Sequence, residues 1–173
     1  MACRANDILL SCKLNCIQFN FIKYIFACHL KTMDYLKLEN QACFPVYALS
    51  RVLTAHYKPI LAGIDLTYPQ YLVMLVLWEH RELSVKEIGE KLLLDSGTLT
   101  PLLKKLETRK LVTRTRSKAD ERVVMIGLTE SGTALRAKAV TIPESFKCSL
   151  GLSVEEMISL RDTISIILER TKQ

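Results

Sequence analysis

Glycine and proline are scarce, with 6 and 5 among 173 residues. So few chain breakers point to a mostly helical protein. No Cys-x-x-Cys pair occurs, which argues against a zinc ribbon or a thioredoxin-type redox motif. Four of the six cysteines (3, 12, 16 and 28) lie in the first 32 residues. The body keeps only Cys43 and Cys148, too few for a disulfide-stapled secreted fold, so each is read as an individual thiol. The apolar run around Ile17–Ala27 is interrupted by Asn20 and Lys23 and is too short and polar for a membrane span. It also lacks a small-residue cleavage site, so no export signal is read there.

What is present is a chain of one domain's length, 49% hydrophobic, with a formal net charge of +6. That balance favours nucleic acid, an anionic membrane surface or an acidic partner. Residues 1–32 stand apart. They hold one acid (Asp7) and four bases, and show no helical apolar period. From Met33 the sequence flows straight into an amphipathic pattern. The expectation is that 33–173 is the domain and that 1–32 is an extension, either disordered or not natively translated. Without those residues the formal charge becomes +3.

Residues 34–61 are expected to form a long first helix from the spacing of Leu36, Leu38, Cys43, Val46, Tyr47, Leu49, Val52 and Leu53. Pro45 within it predicts either a bend or a shorter helix ending just before it. Gly63 and Asp65 mark a turn, and Thr67 caps a nearly all-apolar helix over 68–80. Ser84 and Glu87 form a Ser-x-x-Glu capping box for a helix reaching Leu92. A turn over 94–97 leads to a helix over about 96–109, capped by Asp95 or Ser96, with Leu99, Leu102, Leu103 and Leu106 inward. Two short helices joined by a tight turn are a helix-turn-helix pattern. Alternating strands over 111–116 and 122–128, around the loop 117–121, then predict a β-wing. Thr129 caps a fifth helix running towards a break at Ile142–Pro143, and Ser153 with Glu156 caps the last. The connection between those two, containing Cys148, is read as a mobile polar loop. Terminal helices this apolar suggest a dimer interface.

From Ser96 to Arg122 there are eight bases and three acids, a local balance of +5. Such a cluster neutralises phosphates and releases counterions. Ser96, Gly97, Thr98 and Thr100 are small enough to let a helix start approach a groove. Lys104, Lys105, Arg114 and Arg116 supply charge. Arg122 at the wing tip could enter a minor groove, with Asp120 orienting its guanidinium. A charge run alone is usually a solvated face; helix, turn, helix and basic wing in that order reverse the balance.

Tyr47 follows Cys43 by four residues, on the same helical face, and a phenol can hold a thiolate ready for a peroxide. A lone cysteine on an apolar face is more often a small buried hydrophobe. The stretches Leu-Glu-Asn-Gln-Ala-Cys-Phe-Pro-Val-Tyr (38–47), Leu-Thr-Tyr-Pro-Gln-Tyr-Leu (66–72), Leu-Asp-Ser-Gly-Thr-Leu-Thr-Pro-Leu-Leu-Lys-Lys-Leu (94–106) and Asp-Glu-Arg (120–122) add what spacing lacks. Through them, residues 34–173 resemble the MarR family, and within it the organic-hydroperoxide-resistance repressors. One departure is Pro45, where the family pattern has an ordinary apolar residue.

The resemblance implies a mainly α winged helix-turn-helix with a small β-wing, dimerised through helices over 34–62 and 130–172, with a DNA-binding lobe over 66–128. It implies a cytoplasmic homodimer that binds an inverted-repeat operator in double-stranded DNA, with an organic hydroperoxide as inducer and no cofactor, metal or membrane. Cys43 matches the peroxide-reactive cysteine, and Tyr47 and Tyr57 match tyrosines that bond it, the latter from the partner subunit. Arg122 matches the minor-groove arginine. Cys148 resembles the resolving cysteine of the two-cysteine branch, which forms an intersubunit disulfide. Two other functions stay open: a regulator of the same family answering a phenolic ligand or a general thiol oxidant, and a thiol peroxidase. A basic wing serves no catalytic purpose in the second, and no reductant-docking motif accompanies it.

Overall fold

A computed structural model describes Asp34 and residues 36–171; the expected extension over 1–32 lies outside them. The chain divides into two compact units, 1–50 and 51–173. Within the first, a single 3-10 turn at Leu38–Asn40 precedes helix α1, Cys43–Ala62, which continues into the second unit. The long helix expected from residue 34 therefore starts only at Cys43. As one of the two expectations had it, a short helical turn ends ahead of Pro45, which itself belongs to the next helix. It occupies the first turn, where its missing N–H would have had no intrahelical partner. Leu36 and Leu38, expected on the helical face, are exposed ahead of it.

In the second unit α2 (Tyr68–His80) is apolar on most sides and buries Tyr71, Val73, Met74 and Leu77. The N–H and hydroxyl of Thr67 both donate to Gln70 Oε1 at its start (2.9 and 3.1 Å). Helix α3 (Val85–Leu92) begins with the predicted capping box: Ser84 N donates to Glu87 Oε2 at 2.8 Å and Glu87 N to Ser84 Oγ at 3.2 Å. Helix α4 (Ser96–Thr108) follows, then strands β2 (Val112–Arg116) and β3 (Val124–Leu128). A third strand, β1 (Glu82–Ser84), was not expected. It pairs antiparallel with β3, so the sheet runs β1-β3-β2 and ties the wing to the end of α2. One core joins Met74 and Leu77 of α2, Ile88 of α3, Leu99, Leu103 and Leu106 of α4 and Ile126 of β3. Burying such side chains contributes roughly 1.5–3 kcal/mol each.

Helix α5 (Glu130–Ala139) is capped by Thr129, whose Oγ1 accepts from Gly132 N at 2.9 Å and donates to Lys110 O at 2.7 Å. The expected break at Pro143 is instead a helix start. Proline is tolerated in a first turn, and α6 runs from Ile142 to Leu150. Cys148 thus lies on a helix, correcting the reading of a polar loop. Helix α7 (Val154–Thr171) is capped as expected, with Ser153 N on Glu156 Oε2 at 2.8 Å. It buries no residue within the single chain and leaves Val154, Ile158, Ile166, Ile167 and Leu168 exposed.

Candidate nucleic-acid interface and thiol site

The turn between α3 and α4 is set by two backbone constraints. Leu93 adopts a left-handed conformation (φ 54°), which reverses the chain after α3. A Cβ on Gly89 would come within 2.7 Å of Leu94 O, so this closely folded corner requires glycine. Asp95 then caps α4, accepting from Thr98 N at 2.9 Å and from Thr98 Oγ1 at 2.8 Å. Those bonds hold the Asp95 carboxyl below the usual carboxylate range, and they are lost as pH falls through its lowered pKa.

Ser96, Gly97 and Thr98 are exposed at the first turn of α4, and Thr100 is half-buried. The Thr100 hydroxyl donates to Ser96 O at 2.7 Å. With their protons engaged inside the protein, the hydroxyls of Thr98 and Thr100 keep only acceptor capacity for other partners. Lys104 and Lys105 are exposed farther along the helix.

The wing differs from its sequence reading in one respect. Arg116 and Lys118 are exposed, but Arg114 is half-buried on β2, 3.6 Å from Glu107 Oε2. Its Nε–H is buried without a partner. Arg114 lines a groove of about 830 Å³ together with Lys86, Glu90, Ser96, Thr100 and Arg122. At the tip, Asp120 Oδ1 accepts from Arg122 N (3.0 Å) and Arg122 Nε (3.3 Å), while the Arg122 side chain is 92% exposed. The carboxylate fixes the root of the side chain and leaves the far edge of the guanidinium to solvent.

Of the thiol residues, Cys43 and Tyr47 belong to the first unit, and Tyr57 and Cys148 to the second. Cys43 is the exposed first residue of α1, its Sγ 3.9 Å from Gln41 Oε1. Tyr47, one turn on, is exposed. Tyr57 is enclosed by aromatics, stacked on Phe146 (centroids 3.9 Å apart) and on Tyr68 (4.6 Å). Burial, reinforced by Tyr68 and Tyr71, pushes its pKa up to about 12, so the phenol stays a donor even well above neutral pH. Cys148 is exposed, its Sγ 4.0 Å from Glu144 Oε1, and Glu144 is held by Lys147 at 2.6 Å. Sequence reasoning missed Tyr68 and Phe146. Tyr68 sat in a quoted motif, but nothing local signalled a stack onto Tyr57.

Comparison with known proteins fits this geometry. Residues 55–138 match the transcriptional regulator SarA/Rot family model. The chain is 52% identical over 143 residues to the organic hydroperoxide resistance transcriptional regulator of Bacillus subtilis strain 168, covering 81% of this chain and 95% of that protein. The structure of reduced AbfR bound to DNA is similar at a TM-score of 0.64 and 34% identity, over 79% of this chain and 95% of that one. Disulfide-formed AbfR is similar at 0.54 and 32%, over 84% and 96%.

Proposed function

Because the chain belongs to the organic hydroperoxide resistance branch of the MarR-type winged-helix transcriptional regulators, we propose that it is a homodimeric repressor released from operator DNA when an organic hydroperoxide oxidises Cys43. The observation that carries this reading is the exposed thiol of Cys43 at the head of α1, in a chain that also presents a helix-turn-helix and basic wing. Apolar side chains exposed on α1 and α7 support dimerisation through the terminal helices.

The chemistry balances with two thiols. The Cys43 thiolate attacks one peroxide oxygen; the O–O bond breaks, an alcohol leaves, and Cys43 becomes a sulfenic acid. The Cys148 thiol of the other subunit then attacks that sulfur, expelling water and forming a disulfide. Two thiols are oxidised by two electrons and one peroxide is reduced. Tyr47 and Tyr57 hold the reacting sulfur by hydrogen bonds, Tyr57 from the partner subunit. Oxidation lowers DNA affinity only through a difference between two conformations. Drawing α6 across the dimer would turn the winged lobes and spoil a half-site spacing of about 34 Å. The relative AbfR is known reduced on DNA, overoxidised on DNA and with its disulfide formed, which supports assigning release to the disulfide rather than to oxidation of one sulfur.

The test is binding of the reduced protein to a duplex of its own promoter, before and after one equivalent of cumene hydroperoxide. Wild type should let go and run as a linked dimer on a non-reducing gel. Cys148→Ser should not form that dimer; if it does, Cys148 is not the resolving thiol. Arg122→Ala tests the wing. Affinity should fall, and the slope of log affinity against log salt should lose about one unit if Arg122 neutralises a phosphate. An unchanged affinity would remove Arg122 from the interface.

A further inference from the structure

Arg109 was counted in the basic cluster on charge alone, but the structure gives its guanidinium another use. It follows α4 directly, its own N–H donating to Lys105 O. Its side chain reaches back to the turn that ends α1. One guanidinium nitrogen donates to Asp65 O and the other to Ile64 O at 3.3 Å, and the second also lies 3.2 Å from Asp65 Oδ2. That turn is bound to the last residues of α1: Ile64 N and Leu66 N donate to Leu61 O, and Asp65 N to Ala62 O. Asp65 itself is left-handed (φ 52°), a conformation aspartate adopts more readily than most side chains and that suits this tight turn.

The guanidinium therefore joins the end of α1, the helix that begins with Cys43, to the end of α4, the helix whose start carries Ser96, Gly97 and Thr98. We propose that Arg109 is a positioning residue that passes the state of α1 to α4 and so sets how far oxidation changes DNA affinity, a role that rests on the repressor reading above. A planar five-donor fork suits this task, because it serves two carbonyls and a carboxylate together. A lysine ammonium is a point charge and cannot match that geometry.

The experiment measures promoter affinity of the reduced and hydroperoxide-treated protein for wild type, Arg109→Gln, Arg109→Lys and Asp65→Asn, each across a salt series. Wild type should lose affinity about tenfold or more on oxidation, and both Arg109 variants should lose less than about threefold. Their salt slopes should stay at the wild-type value, because the Arg109 guanidinium is already engaged by Asp65 and Ile64. Asp65→Asn keeps the two carbonyl bonds and should shrink the ratio partially; it decides the question by the same ratio should the Arg109 variants not fold. A salt slope that drops by about one in Arg109→Gln and returns in Arg109→Lys, with the oxidation ratio intact, would make Arg109 a phosphate ligand and overturn the proposal. Equal weakening of both oxidation states would make it scaffold only, and overturn it too. A wild-type protein indifferent to hydroperoxide would instead bring down the repressor reading itself.

Discussion

Cys43→Ser should bind the promoter as tightly as the reduced wild type and keep hold of it after hydroperoxide treatment. Serine is nearly isosteric with cysteine, and position 43 is exposed, so no core contact is lost and the fold should be undisturbed. What disappears is the only described thiol that the family resemblance places at the reacting position. The alkoxide of serine is inaccessible at neutral pH, so the O–O bond is not cleaved. The whole oxidation response, about tenfold or more in affinity for wild type, should therefore disappear, because without a change at residue 43 nothing biases one conformation over the other. Release of the serine variant by the same dose would place the sensor elsewhere and leave only the winged-helix repressor.

A second large effect belongs to the fold rather than to the thiol. An added Cβ at Gly132 would lie 2.0 Å from Leu111 O, and 3.1 Å from Leu128 Cδ2. The first is backbone held in place, since Thr129 N donates to Leu111 O, and Gly132 is itself held, its O accepting from Trp78 Nε1 at 2.8 Å. Backbone cannot yield as a side chain end can. Gly132→Ala should destabilise by about 3 kcal/mol, read as a lower melting temperature, because overpacking of this kind forces backbone shifts. Its counterpart Gly63→Ala meets only Ile60 O at 3.8 Å and should cost far less. Equal melting temperatures for the two variants would mean that α5 and the end of α4 have more play than the structure gives them.

The elements legible in the sequence were those set by chemistry three or four residues long. The Ser84–Glu87 and Ser153–Glu156 boxes and the Asp95 cap stand where their spacing put them, because each closes within one helical turn. Pro143 misled, because position in the helix matters more than identity. Pro45 and Pro143 both sit in first turns, so neither breaks anything, and Cys148 consequently belongs to a helix. Strand β1 is three residues long, too short for a period, and exists only because β3 returns beside it. Among the candidate residues, charge sign was readable but engagement was not. Arg109 and Arg114 count as positive in any tally, yet their carboxylate partners, Asp65 and Glu107, come from other elements. Likewise nothing near Tyr57 announces Phe146.

The sheet order β1-β3-β2 leaves strand β2 with one open side. A row of unpaired N–H and C=O groups on such an edge invites another chain to add itself, which is how soluble proteins begin to aggregate. Strand β2 reads Val-Thr-Arg-Thr-Arg, with Arg116 exposed and Lys118 just beyond it. Cationic residues on an edge strand repel a second copy of themselves. On the proposed reading, charges of the basic wing thus also guard the sheet whenever DNA is absent, which is the state that induction would produce. Neutralising them together to weaken operator binding would yield a protein that is harder to keep in solution, and loss of binding in such a variant would have to be separated from loss of monodisperse material.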